Sequence, residues 1–163
     1  MSSHGEKTCV LVQLFSLFGA LRLQVRTRNS DQKLMKVNWS DLCILIVDDD
    51  AYLRSSLADL LEMQGAIVAQ AEHGGKALEI LKNQKISLVV SDIKMPVLGG
   101  VDLLKAIRSQ NSKTPAVILI TGESSYSEQE ILKLGGNGVI RKPFDIPTFF
   151  DRIEDLFLRS QAA

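Results

Sequence analysis

Four short stretches of the 163-residue chain carry side chains that could act on one another. Asp48, Asp49 and Asp50 stand in a row; Ser91 with Asp92 forms a second group, Thr121 with Gly122 a third, and Arg141, Lys142 and Pro143 a fourth. Each follows directly on an apolar run. Carboxylates gathered within about 4 to 6 Å repel one another and hold protons more tightly unless a cation neutralises them, so a converged set implies a bound cation. Oxygen-only ligands select Mg²⁺, Ca²⁺ or Mn²⁺, and a few carboxylates with open coordination positions suit Mg²⁺ shared with a phosphoryl group. Lys142 would then supply a point charge to a phosphoryl oxygen, Thr121 a hydroxyl donor, and Gly122 room beside the backbone. The chemistry that fits is phosphoryl transfer: a carboxylate attacks in line and becomes an acyl phosphate while cationic groups stabilise charge on the equatorial oxygens.

Whether these groups meet depends on the elements between them. Residues 42–47, 88–90, 116–120 and 138–140 are short apolar runs with β-branched residues, the pattern of strands buried on both faces, and 67–71 is a weaker fifth candidate. Between them lie helical spacings: Leu53, Leu57, Leu60 and Leu61; Ala77, Leu78 and Leu81; Val101, Leu104 and Ile107; Ile131 and Leu134; and finally Phe149, Phe150, Ile153, Leu156 and Phe157. Punctuation agrees. Asp49 or Asp50 offers an N-cap to the first helix, with Asp50 better read as a cap than as a ligand; Gly65 ends that helix, Gly135 and Gly136 the fourth, and Pro147 suits the first turn of the last. Fivefold βα alternation with apolar strands predicts an α/β, doubly wound parallel sheet of five strands with right-handed crossovers. In such sheets ligands sit beyond the carboxyl ends of the strands, and with strand order 2-1-3-4-5 the acids of strands 1 and 3, the Thr121 hydroxyl and the Lys142 amine converge while strand 2 falls outside.

Asp48-Asp49, Asp92 followed by Met95-Pro96, Thr121-Gly122 and Lys142-Pro143-Phe144 resemble, in order and spacing, the receiver domain of two-component response regulators. The resemblance covers roughly residues 41–160 and is to the flavodoxin-like, single-domain, chemotaxis-regulator type. It implies that Asp92 is the phosphoacceptor, that Thr121 and Lys142 contact the phosphoryl group, and that Mg²⁺ is held by Asp48, Asp49 and Asp92 with the Lys94 backbone carbonyl. It also implies a cis Lys142-Pro143 bond, a phosphoryl donor that is a sensor histidine kinase or a histidine phosphotransfer protein, and output to a downstream protein through the fourth helix, fifth strand and fifth helix. Such a protein assists its own phosphorylation and dephosphorylation and is not otherwise an enzyme. Three departures stand out. Val139 takes a place where the family often has an aromatic switch residue, Gly99 replaces a more usual polar residue and is expected to loosen the loop before Gly100, and the sequence after the fifth helix leaves no room for an effector, which suggests a stand-alone receiver. Lys94 and Glu123 fall where the family tunes dephosphorylation.

Composition narrows the alternatives. Lys and Arg number 19 and Asp and Glu 19, so no overall field would draw in nucleic acid or an anionic membrane. Residues 1–40 carry a net +4 and include the uncharged run 9–21, too short and too polar for the roughly 20 residues of a membrane span and without the basic start and cleavage site of a signal peptide. They read as a poorly ordered or upstream-translated extension before a domain spanning 41–160, with Met35 close to the first strand. Two cysteines, Cys9 and Cys43, make no disulfide framework and point to a reducing, cytoplasmic setting; His4 and His73 have no zinc-site partners. Gly74-Gly75-Lys76 lacks the rest of a P-loop and reads as a helix start. Two other functions use the same residues: a Mg²⁺-dependent aspartyl-nucleophile phosphohydrolase, disfavoured by Tyr52 where such enzymes have Thr and by the lack of a cap, and a receiver-like scaffold that never takes phosphate.

Overall fold

The computed structural model describes residues 37–110, 113–122 and 126–162. Within them β1 (Cys43–Val47), β2 (Ile67–Ala71), β3 (Leu88–Asp92), β4 (Ala116–Thr121) and β5 (Gly138–Arg141) form a parallel sheet in the order β2-β1-β3-β4-β5. The crossovers are α1 (Ala51–Glu62), α2 (Gly74–Asn83), α3 (Gly100–Gln110) and α4 (Glu128–Lys133), and α5 (Ile146–Ala162) follows β5. This is the doubly wound topology the alternation predicts. Successive strand residues point to opposite faces, so each central strand feeds two cores. Ile44, Ile46, Val90 and Ile118 pack with Leu57 and Leu61 of α1 and Phe149, Ile153 and Leu156 of α5. Leu45, Val89, Val117 and Leu119 pack with Ala77, Leu103, Leu104, Ile107 and Ile131 from α2, α3 and α4.

The helix ends follow the expected punctuation. Asp50 caps α1 by accepting from Tyr52 N and Leu53 N, and Gly65 beyond it has φ +100°. Ser127 and Glu130 form a capping box on α4, whose C-terminal Gly135 has φ +88°. His73, which carries no function in the sequence reading, caps α2 by accepting from Lys76 N at Nδ1. Asp145 accepts from Thr148 N at the start of α5, and Pro147 lies in its first turn.

Two boundaries differ from expectation. β3 continues through Ser91 and Asp92, which pair with Leu119 and Ile120, so Asp92 ends a strand and does not begin a loop. Hydrogen bonding outlasts apolarity there, and likewise at Thr121 in β4 and Arg141 in β5. The packed core also reaches back past residue 41, the expected start of the domain, to Val37 and Trp39. The Trp39 ring meets Phe150 edge to face with centroids 5.6 Å apart, and its Nε1 donates to Glu154 Oε1 at 3.2 Å. This apolar cover over α5 joins 37–40 to the domain, while the rest of the expected extension lies outside the described residues.

Candidate functional site

Strand register brings the distant acids to one rim. Val47 pairs with Ser91, so Asp48 and Asp92 are neighbours at the ends of β1 and β3, and Ile120 pairs with Asp92, which puts Thr121 one step further along β4. Thr121 pairs in turn with Arg141, and its carbonyl accepts from Lys142 N at 2.6 Å, fixing the base of the lysine. From there Lys142 Nζ reaches Asp92 Oδ1 at 2.5 Å and Asp48 Oδ2 at 3.4 Å. The Lys142-Pro143 peptide is cis, as the family resemblance implies. Asp48, Asp92 and Thr121 are all buried, Asp92 with 8% of its surface exposed, while Asp49 beside them is exposed.

Each buried acid is aimed by the same local device, a carboxylate oxygen accepting the amide two residues on. Asp48 Oδ1 accepts from Asp50 N at 2.9 Å, and Asp92 Oδ2 accepts from Lys94 N at 2.6 Å. The Lys94 amide is a contributor the sequence reading missed, since it looked to the Lys94 carbonyl; the tendency of Asp to form such turns is the signal that could have found it. Burial pushes the Asp48 carboxyl above its ordinary range, against the pull of the Asp50 amide and the Lys142 ammonium, and neighbouring Asp92 pushes it further up. Burial draws the Lys142 ammonium down, but its bonds and charge attraction to Asp92 and Asp48 more than offset this and hold it above its ordinary range.

The Asp48, Asp49 and Asp92 carboxylates at this end of the sheet offer only oxygen to a metal, the ligand type that Mg²⁺ takes. Among the described residues, however, no group of three or more His, Cys, Asp or Glu side chains is gathered as a metal cluster. Asp48 and Asp92 share the Lys142 ammonium as their counter-charge, and Asp49 faces solvent. Gly122 leaves open space: a methyl group there would meet nothing within 4 Å. At Gly99 the loop folds closely back, because a Cβ there would come 2.8 Å from the Ile93 carbonyl. Val139 is buried in β5 beside the α4 core, and its carbonyl accepts from Arg152 Nε at 3.5 Å. Arg152 also pairs with Glu128, tying α5 to α4. Glu123 lies outside the described residues. No helix among the described residues is long and apolar enough to cross a membrane.

Comparison with known proteins agrees with this geometry. Residues 44–154 match the response regulator receiver domain family. The chain is 39% identical over 117 residues to the transcriptional regulatory protein CpxR of Escherichia coli, covering 72% of this chain and 50% of that protein, so it spans about half the length of this relative. It is 30% identical to the chemotaxis protein CheY of Halobacterium salinarum, covering 69% of this chain and 94% of CheY. The crystal structure of a CheY-like receiver domain protein from Methanospirillum hungatei superposes with a TM-score of 0.68 at 28% identity, over 74% of this chain and 97% of that one. With the strand order, the paired buried acids and the bridging lysine all in the matched region, the chain belongs to the response regulator receiver domain family.

Proposed function

We propose that this chain takes a phosphoryl group onto Asp92 in a Mg²⁺-dependent reaction and signals through contact with another protein surface. The observation that carries the reading is the buried Asp92 carboxylate, held at one oxygen by Lys142 Nζ (2.5 Å) and at the other by Lys94 N (2.6 Å). Two donors aim a carboxylate whose unshared electron pairs would otherwise turn freely. An Asp92 oxygen attacks phosphorus, the bond from phosphorus to a histidine nitrogen of a sensor kinase or phosphotransfer protein breaks, and the nitrogen keeps its electron pair. Lys142 then stabilises the phosphoryl oxygens, and Thr121, at the end of β4, offers its hydroxyl to them. Asp48, Asp49, Asp92 and the Lys94 carbonyl are the groups that would hold Mg²⁺, which when bound neutralises charge on the transferring group. Output through α4, β5 and α5 is supported by Arg152, which joins Glu128 of α4 to Val139 of β5 from α5, so a shift of one element is felt by the other two.

The test is incubation with acetyl phosphate and Mg²⁺ followed by intact mass. The expected result is a gain of one phosphate in the wild type, its loss on chelation of Mg²⁺, and no gain in Asp92→Asn. An unchanged gain in Asp92→Asn would move the acceptor elsewhere, and many turnovers of an aryl phosphate per protein would favour a hydrolase.

A further inference from the structure

Arg54 has no part in the reaction outlined above, yet it reaches into the back of the acidic turn. It is the fourth residue of α1, half-buried, and its Nη1 donates to the backbone carbonyl of Asp48 at 2.7 Å. That carbonyl belongs to the peptide joining Asp48 to Asp49. The amide of Asp48 donates to the Ala71 carbonyl at the end of β2 at 3.2 Å, and its Oδ1 accepts from Asp50 N. Asp48 is thus held at its amide, its carbonyl and one carboxylate oxygen, which leaves Oδ2 turned toward Lys142. Among the described residues Asp49 makes no comparable hydrogen bond of its own, and its amide nitrogen belongs to the peptide that Arg54 holds.

The placement runs against local preference. A cation near the N-terminus of a helix is opposed by the helix dipole. A lysine would supply the same charge as a compact ammonium on a flexible stem, whereas the planar guanidinium delivers a single N–H to the carbonyl from a rigid group. Arg54 lies with Gln70, Ala71, Glu72, Lys76 and Ile80 in a groove at the carboxyl end of β2. The strand that contributes no reacting side chain therefore supports the one beside it.

We infer that Arg54 is a positioning residue for the acidic pair, fixing the Asp48-Asp49 peptide so that both carboxylates face a divalent cation. This rests on the proposed function. Positioning and charge predict opposite signs. Removing a positive charge beside an acidic cluster would by Coulomb attraction alone tighten cation binding, whereas releasing the peptide would weaken it.

The experiment titrates Mn²⁺ into the unphosphorylated full chain, reading free Mn²⁺ by electron paramagnetic resonance, for wild type, Arg54→Met, Arg54→Lys and Lys76→Met. The expected result is binding about tenfold weaker in Arg54→Met, the lower end for losing a group that orients metal ligands. Arg54→Lys is expected to be weakened too although its charge is kept, and Lys76→Met, in the same groove without a bond to Asp48, to match wild type. Thermal melting checks folding, and if Arg54→Met does not fold, Arg54→Lys decides alone. Wild-type or tighter Mn²⁺ binding in the folded Arg54 variant would overturn the inference, as would equal weakening in Lys76→Met. Failure of the wild type to gain phosphate would overturn the proposed function and is read separately.

Discussion

Gly100→Ala tests whether Asp92, the proposed phosphoacceptor, is positioned by close packing behind it. Gly100 is the first residue of α3, and an ideal Cβ there would lie 2.2 Å from the Asp92 carbonyl oxygen, 3.0 Å from Ser91 Oγ and 3.1 Å from the Asp92 carbonyl carbon. Carbon and oxygen approach each other to roughly 3.3 Å, so about 1 Å of movement is needed. The helix cannot simply back away, because Gly100 N donates to the Ile93 carbonyl at 3.0 Å and Leu103 N to Gly99. Two effects compete. Alanine in place of a helical glycine gains up to about 1 kcal/mol of propensity, while overpacking costs about 1–3 kcal/mol, so a net loss of roughly 1–2 kcal/mol is expected. For a domain of this size that lowers Tm by roughly 3–8 °C. Function should suffer more. The atom displaced is the carbonyl of Asp92 itself, whose carboxylate must keep 2.5 Å to Lys142 Nζ and 2.6 Å to Lys94 N. A shift of about 1 Å at a reacting group can cost on the order of 100-fold in rate. The assay pairs thermal melting by circular dichroism with the initial rate of phosphate gain from acetyl phosphate well below Tm, using Gly122→Ala, with open space around the new methyl, as the stability control. A Gly100→Ala protein that melts with Gly122→Ala and takes up phosphate at the wild-type rate would show that the loop yields and that the close contact positions nothing.

Two more outcomes follow from strain and burial near the same rim. Val97 has φ +67° and is the centre of a turn closed by Leu98 N on the Pro96 carbonyl at 2.7 Å, a strained γ-turn for a β-branched residue, and 84% of its surface is exposed so little burial is lost on removing it. Val97→Gly should therefore raise stability by about 1 kcal/mol, seen as a higher urea midpoint at unchanged slope; a lower midpoint would mean the conformation is not strained. Asp48→Asn should melt a few degrees higher than wild type at neutral pH, on the order of 1 kcal/mol, at the expense of cation binding. The sign follows from burial, which raises the folded-state pKa of Asp48 above 3.8: the folded protein binds the extra proton, so wild-type stability falls as pH rises through that pKa. The advantage of Asn should accordingly shrink as pH falls toward 3.8 and below, and an advantage that does not change with pH would refute this origin.

The parts legible in the sequence are those written in side-chain type. β1, β3 and β4 are buried on both faces and read as unbroken apolar runs, whereas β2 is an edge strand with Ile67 65% exposed, which is why its signal was weak. The same rule explains the misplaced ends: Ser91, Asp92 and Thr121 are polar and yet paired in the ladder, so apolarity stopped before the strands did. Asp48, Asp92 and Lys142, which the structure brings together, could be named because they carry charge at strand ends. What holds them is mostly backbone: the Lys94 amide on Asp92, the Asp50 amide and Ala71 carbonyl on Asp48, and the Asp48 carbonyl under Arg54. Every residue except proline has the amide, and every residue the carbonyl, so composition carries no mark of which of them will be used. Arg54 is intermediate, a side chain with a distinctive fork whose target is an anonymous carbonyl, and for that reason its spacing from Asp48 is informative only once α1 is known to begin at Ala51. Variation at positions that aim the acids is thus expected to change cation affinity and rate while leaving every recognisable residue of the site in place.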